Sequence, residues 1–188
     1  MKKGIMILGL VLFTMMASAQ KMNMPMNYQF QLIMKTLAYE GRLNNASSGD
    51  IVLGVVYNST AESRTAKNEF FNVFEKMPVK SIGNKTLKMV PIQFTTAEEI
   101  IAKIESGNVN VLYISPGMTS HLADIKELSI QKQLVTITGV ESYVNEHFVM
   151  IGLKVHNKKP KIMVNLNISR DAGAQFSANF LKLCEVVR

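Results

Sequence analysis

The chain has no tryptophan, one cysteine, three histidines and five prolines in 188 residues. One cysteine, Cys184, cannot close an internal disulfide, which excludes a disulfide-stapled scaffold and redox control through an internal bridge. Eleven glycines and five prolines are too few for a collagenous or low-complexity chain. Acidic residues are the scarcer charge, 14 against 21 basic, for a formal net charge of +7. Long apolar runs are missing after the first twenty residues, so no later segment reads as a membrane span. What is present is a 47% hydrophobic composition, enough for one folded domain with a substantial core.

The amino-terminal end has an export layout. Met1-Lys2-Lys3 is a short positive region, residues 4–16 are uninterruptedly apolar, and Ala17-Ser18-Ala19 places small residues at −3 and −1 of a cleavage site before Gln20. That is the tripartite pattern of a signal peptide; the apolar run is shorter than the ~20 residues of a spanning helix. Residues 1–19 are therefore expected to be removed on export. No cysteine follows the apolar run, so a lipoprotein is excluded. Residues 20–27 read as a flexible tail. Met22, Met24 and Met26, spaced two apart, have the soft thioether chemistry of a Cu(I) site. Methionine is abundant throughout, so the tail reading comes first and no cofactor is assigned.

Alternation of strands and helices organises residues 28–188. Phe30, Ile33, Met34 and Leu37 fall on one face of a helix expected over 28–43, followed by a polar loop over 44–50. Residues 51–57 form a continuous apolar run, as in a strand buried on both faces. Thr60 can cap a helix with Ala66, Phe70, Val73, Phe74 and Met77 on its core stripe, stopped by Pro78. The unit recurs: a strand over 86–94, placed by Pro91 at an edge or bulge, a helix with Ile100 and Ile104 ending at Gly107, a strand over 109–114, a helix with Leu122, Ile125 and Leu128, and a strand over 134–138. Such alternation predicts parallel units with right-handed crossovers. Residues 147–156 and 161–167 then form an antiparallel hairpin about Asn157-Lys158-Lys159-Pro160. A final helix over 169–187 would face Phe176, Phe180, Leu183, Cys184 and Val187 inward. The expected fold is a single three-layer α/β domain, a mostly parallel sheet with a C-terminal antiparallel hairpin and a final helix.

Several constellations resolve into ordinary structure. His147 and His156, an odd number apart on one expected strand, point to opposite faces, and with His121 they make no metal spacing. Ser115-Pro116-Gly117 follows a buried strand but lacks the Gly-x-Ser-x-Gly elbow, and Pro116 removes an oxyanion-hole N–H. Gly83-Asn84-Lys85-Thr86 is a turn, not a phosphate loop. No nucleophile–base pair is visible, so the chain is not expected to be an enzyme. Asn58, Ser59, Thr60, Thr95, Thr96, Ser115 and Thr138 collect at the carboxyl ends of the strands, where an open α/β sheet holds ligands; the same residues serve equally as helix caps. Lys154, Lys158, Lys159, Lys161, Arg170 and Lys182 crowd the C-terminal third. Without interleaved aromatics, and after export, nucleic acid is not their partner. They read as a solvated face or as a patch for an acidic partner or anionic headgroups.

Resemblance to a known family appears in the last third. Ile162-Met163-Val164-Asn165-Leu166-Asn167, Arg170, Ala172-Gly173, Ser177 and Leu181-Lys182-Leu183 are similar to the C-terminal signature of the YfiR/HmsC-like periplasmic family. Ile151-Gly152-Leu153 resembles its hairpin, Asp50-Ile51-Val52-Leu53-Gly54-Val55 its first strand, and Val111-Leu112-Tyr113-Ile114-Ser115 its third. The chain resembles a divergent member: Leu37-Ala38-Tyr39-Glu40-Gly41 stands where the family has an aromatic segment closing in Trp-Pro. The resemblance implies a periplasmic, non-enzymatic regulator that contacts an inner-membrane signalling protein, a diguanylate cyclase or sensor kinase. Lys158, Lys159 and Lys161 are the first candidates for that contact. A periplasmic solute-binding protein is the alternative, and a homodimer stays open.

Overall fold

The computed structural model describes residues 24–45 and 49–188. The expected export segment, residues 1–19, and Met22 lie outside the described residues. The chain runs α1 (Met26–Ala38), α2 (Gly41–Asn45), β1 (Ile51–Tyr57), α3 (Ala61–Glu75), β2 (Ser81–Ile82), β3 (Lys85–Gln93), α4 (Ala97–Ser106) and β4 (Val111–Ile114). After a 3-10 turn at Thr119–His121 come α5 (Leu122–Gln131), β5 (Val135–Thr138), α6 (Glu141–Asn145), β6 (Ile151–His156), β7 (Lys159–Asn165), α7 (Leu166–Asp171), α8 (Ala178–Leu181) and β8 (Glu185–Val187). The strands make one eight-stranded sheet in the order β2-β3-β1-β4-β5-β6-β7-β8. β3, β1, β4, β5 and β6 are parallel neighbours, and β6 and β7 form the antiparallel hairpin. The expected α/β class is the observed one.

Alternation along β1 shows why the sheet needs a helix layer on each side. Ile51, Leu53 and Val55 face a core built from Phe30, Ile33 and Leu37 of α1 and Phe70 of α3. Val52 and Val56 face a second core with Ile100 and Ile104 of α4, Leu122, Ile125 and Leu128 of α5 and Tyr143 of α6. Removing each such aliphatic or aromatic side chain from water stabilises the fold by about 1.5–3 kcal/mol. Phe70 touches Phe30 at 5.1 Å and Tyr113 at 4.2 Å between ring centroids, a continuous aromatic seam under α3. Gly54 stands where β1 is pressed most tightly: a Cβ there would fall 2.5 Å from Ile92 Cδ1. Threonine caps set the helix starts, with Thr60 Oγ1 accepting from Ser63 N and Thr96 Oγ1 from Glu99 N.

Four expectations are corrected. The first helix does not run to residue 43. It stops at Ala38, Asn44 Nδ2 donates to the Leu37 carbonyl at 2.9 Å and the Glu40 carbonyl at 2.6 Å, and Glu40 pairs with Phe176 in an isolated bridge. The segment before it is not free: Met24 and Met26 are buried in the core, so their sulfurs are packing groups. The long final helix is absent. α7 and α8 are short, Leu183 is exposed, and the last residues pair with β7 as the parallel strand β8. His147 is not on β6. It sits in the left-handed region after α6, beside Asn165 Nδ2 at 2.7 Å.

The hairpin turn is also tighter than expected. His156 pairs with Lys159, leaving only Asn157 and Lys158 between the strands, at φ 50° and 60°. Two left-handed residues define the type I′ turn, whose twist matches that of the strands. Pro160 consequently lies in β7, opposite Val155. Pro91 sits on β3, next to the short edge strand β2, which pairs only with Lys85 and Thr86.

Candidate functional site

From β1 the chain crosses to β3 on one side and then, through α4, to β4 on the other. The carboxyl ends of β1 and β4 therefore flank the topological switch point, the usual ligand crevice of such sheets. Asn58 and Ser115 stand on its two sides. Asn58 Nδ2 donates across it to the Gly117 carbonyl at 2.6 Å. Its Oδ1 accepts from Thr60 N at 3.0 Å and Thr60 Oγ1 at 2.6 Å, and Ser63 Oγ accepts from Asn58 N at 3.1 Å. The sequence-predicted cluster is thus brought together in part. Asn58 and Thr60 touch, and Thr138 Oγ1 donates to the Ile114 carbonyl at 2.9 Å while accepting from Val140 N at 3.1 Å. Thr95 and Thr96 stay on the neighbouring loop, bonded within their own helix start. Ser59 is exposed, and the buried Ser115 hydroxyl has no partner among the described residues.

The chain's first helix closes the same end. Tyr113 Oη donates to Gln29 Oε1 at 2.9 Å, and Gln29 Nε2 donates to the Met24 carbonyl at 2.8 Å. A Cβ on Gly139 would fall 2.4 Å from Gln29 Oε1, so the glycine makes room for this amide. Burial, with the Glu69 charge adding to it, drives the Tyr113 phenol far above its ordinary pKa. It acts as a hydrogen-bond donor and not as a proton-transfer group. Asn58, Thr60, Thr138, Tyr113 and Gln29 are spent on one another and on nearby backbone groups, holding loops at the end of the sheet.

The β6–β7 hairpin is the opposite case. Lys158, Lys159 and Lys161 are all exposed near its tip. Lys154 is a different kind of residue: its Nζ lies 2.8 Å from Glu141 Oε1 and 2.7 Å from Glu185 Oε1, two carboxylates that more than offset its charge. Burial alone would lower the Lys154 pKa, but the two carboxylates outweigh it and raise the value. Beside the tip is a groove of about 350 Å³ formed by Met24, Pro25, Tyr28, Val155, Lys158 and Pro160. Tyr28 is 53% and Val155 38% exposed. The sequence reading passed over both, although the alternation Leu153, Val155 against Lys154, His156 marks an apolar face running out to the tip.

Among the described residues, no His, Cys, Asp and Glu side chains group as a metal site does, and no helix is long and apolar enough to cross a membrane. Cys184 is half-buried; burial pushes its thiol up to about 11, and its Sγ donates to the Phe180 carbonyl at 3.3 Å.

A family model described as YfiR/HmsC-like matches residues 31–185, most of the chain. The chain belongs to the YfiR/HmsC-like family. Membership supports a periplasmic regulator and not a catalyst. A search of curated proteins gave no match. Solved structures share the fold at low identity. One is a ligand-free, open substrate binding protein with adhesive properties from Clostridium difficile, with TM-score 0.55 and 16% identity over 78% of this chain and 57% of that one. Another is an ABC domain in complex with L-Trp from Streptococcus pneumonia, with TM-score 0.59 and 13% identity over 87% of this chain and 60% of that one. A third is a conserved domain protein from Vibrio cholerae, with TM-score 0.61 and 13% identity over 87% and 60%. This YfiR/HmsC-like chain spans under two thirds of each, and the likeness shows the fold alone.

Proposed function

We propose that this chain is a periplasmic regulatory protein that acts by surface contact with an inner-membrane signalling protein, a diguanylate cyclase or a sensor kinase. The observation that carries the reading is the hairpin tip. It presents Lys158 beside an apolar groove that includes exposed Tyr28 and Val155, with exposed Lys159 and Lys161 on the other face of the same hairpin. An exposed apolar groove beside a charged hairpin tip is the make-up of a protein-contact surface. Apart from the Ser115 hydroxyl, the polar groups described at the switch point are committed to internal bonds, which gives a solute-binding role less support than the likeness in fold suggests. Export of the chain by residues 1–19 belongs to the same reading and brings it to the membrane face where the partner stands. There each lysine near anionic headgroups contributes about 1 kcal/mol.

The test reverses the charge at Lys158, Lys159 and Lys161 to Glu in one variant. The turn tolerates it, since Glu at Lys158 meets the same left-handed backbone that lysine already adopts. Cofractionation with inner membranes is measured at low and moderate salt, alongside the melting temperature. The expected result is an unchanged melting temperature with association weakened, and the residual association salt-sensitive. Full association by the well-folded triple variant would overturn the assignment of this face.

A further inference from the structure

Exposed apolar side chains are not spread evenly over this chain. Among the described residues, the large hydrophobic side chains that stand exposed are Tyr28, Tyr39, Val79, Val155, Leu183 and Val186. All but Val79 lie on α1, on the β6–β7 hairpin or on the C-terminal segment, and these three meet along one flank. Tyr28, Leu32, Lys35 and Tyr39 are spaced i, i+4, i+7 and i+11, so they form one stripe along α1, with the two tyrosines about 16 Å apart. At one end of the stripe Tyr28 shares the hairpin groove with Val155 and Pro160. At the other end Tyr39 stacks on Phe180 of α8, with ring centroids 5.0 Å apart. Sheet register puts the strands' share on the same side. Val155 pairs with Pro160, Leu153 with Ile162 and Val164 with Val186, and paired or alternate residues point to one face. Leu153 and Ile162 pack into the core beneath α1, so Val155 and Val186 point to the α1 side and stay exposed there.

The free charge on this flank has one sign. Residues 26–45, 151–165 and 174–188 hold only Glu40 and Glu185 as carboxylates. Glu40 is buried and bonded to Arg42. Glu185 points to the opposite face of the sheet, where it pairs with Lys154. Lys35, Lys158 and Lys182 are exposed, with no carboxylate partner among the described residues. One stands within the tyrosine stripe, one in the groove beside Tyr28, and one next to Leu183. The centre of a protein contact is depleted of charge, whereas here Lys35 interrupts the apolar stripe beyond the groove. On lipid that arrangement is favourable: tyrosine rings take the headgroup level, aliphatic side chains enter the acyl boundary, and a lysine keeps its stem in the interface and its ammonium at the phosphates.

We infer that the flank formed by the outer stripe of α1, the hairpin and the C-terminal segment rests on a membrane surface of anionic phospholipid, with Tyr28, Tyr39 and Leu183 at the lipid and Lys35, Lys158 and Lys182 at its phosphates. The inference goes beyond contact with a signalling protein and does not require one.

Cosedimentation with vesicles tests it, using the chain from Gln20 onward so that the apolar run over 4–16 does not itself bind lipid. Vesicles of phosphatidylglycerol with phosphatidylethanolamine are compared with vesicles of phosphatidylcholine alone, at low and moderate salt. The expected result is saturable, salt-sensitive binding to the anionic vesicles and little to phosphatidylcholine. Leu183→Ser, at a position 70% exposed, should fold normally and weaken binding about tenfold, the effect of a leucine that no longer leaves water. Lys35→Gln and Lys182→Gln should each weaken it about fivefold, the share of one lysine near a charged membrane. Lys103→Gln, exposed on α4 in the opposite helix layer, should leave it unchanged. Melting temperatures check that every variant is folded. Binding to anionic vesicles no stronger than to phosphatidylcholine overturns the inference and leaves the flank to an acidic protein. Equal affinity in wild type and Leu183→Ser overturns it too, as does an equal loss in Lys103→Gln and Lys35→Gln, which would make the attraction a matter of net charge. Vesicles hold no protein, so failure here leaves the contact with a signalling protein standing.

Discussion

Replacing Glu40 with Ala should damage this protein more than any substitution of an exposed charge. The Glu40 side chain is fully buried between the end of α1 and the C-terminal segment. Its Oε2 accepts from Leu43 N at 2.7 Å, and its Oε1 accepts from Gln175 N at 2.8 Å and Arg42 Nε at 3.3 Å. Next to it Gly41 N donates to the Gln175 carbonyl at 2.7 Å. Alanine leaves two backbone N–H groups without their acceptor, at about 1–3 kcal/mol each, and strands Arg42 as well. The expected loss is about 3–5 kcal/mol, in line with breaking a buried ion pair from one side. For a chain of this size that lowers the melting temperature by about 6–20 °C. Glu40→Gln should lie between, because its NH₂ faces an N–H where an oxygen stood. Urea unfolding gives the free energy, and amide hydrogen exchange at Gln175 and Leu43 reports the clamp directly. If Glu40→Ala unfolds within about 0.5 kcal/mol of wild type and the Gln175 amide stays protected, the reasoning fails.

Two further expectations concern titration. The folded-state pKa of Lys154 is raised, so its pairing with Glu141 and Glu185 stabilises the fold below the ordinary lysine value of about 10.4 and is lost as pH rises through the folded value. Urea midpoints measured from pH 9 upward should fall in wild type and fall less in Lys154→Met; equal slopes would refute the pairing. The Cys184 thiol, pushed up to about 11 by burial, should react with iodoacetamide at pH 8 about a hundredfold more slowly in the folded chain than in urea. Comparable rates would show an accessible, ordinary thiol.

How far the fold could be read in advance depended on where each segment's partners lie. The runs at β1 and β4 are buried on both faces, so nearly every residue is apolar and the strand announces itself. The threonine caps of α3 and α4 are local devices and were equally legible. The break at Glu40 was not, because nothing in Leu37-Ala38-Tyr39-Glu40 opposes a helix. The acceptor is wanted by Gln175, 135 residues away. The C-terminal helix was misread for a related reason. Phe176, Phe180 and Leu183 have helical spacing, but the open edge of β7 captures Glu185–Val187 as a strand, and tertiary pairing overrides a weak local preference. At the carboxyl end of the sheet stand Asn58, Thr60 and Thr138, but that their hydroxyls and amide are used up on one another and on nearby backbone groups is not visible in spacing. The exposed apolar flank was invisible in the sequence, since Tyr28 and Tyr39, Val155, and Leu183 and Val186 come from separated segments.

The last strand is short, and that gives the hairpin lysines a second effect. β8 covers β7 only at Met163, Val164 and Asn165. The rest of that edge, from Lys159 to Ile162, pairs with no strand among the described residues, so another chain's strand could use it to extend the sheet. Lys159, Pro160 and Lys161 occupy that uncovered stretch, and charge and proline are what keeps an open strand edge from recruiting neighbours. Self-association there is opposed by charge of either sign, whereas docking on an acidic partner needs positive charge. Glutamates at Lys159 and Lys161 should therefore keep the protein monodisperse at high concentration while weakening docking, and uncharged, strand-favouring residues at Lys159, Pro160 and Lys161 should turn the same edge into a site of polymerisation.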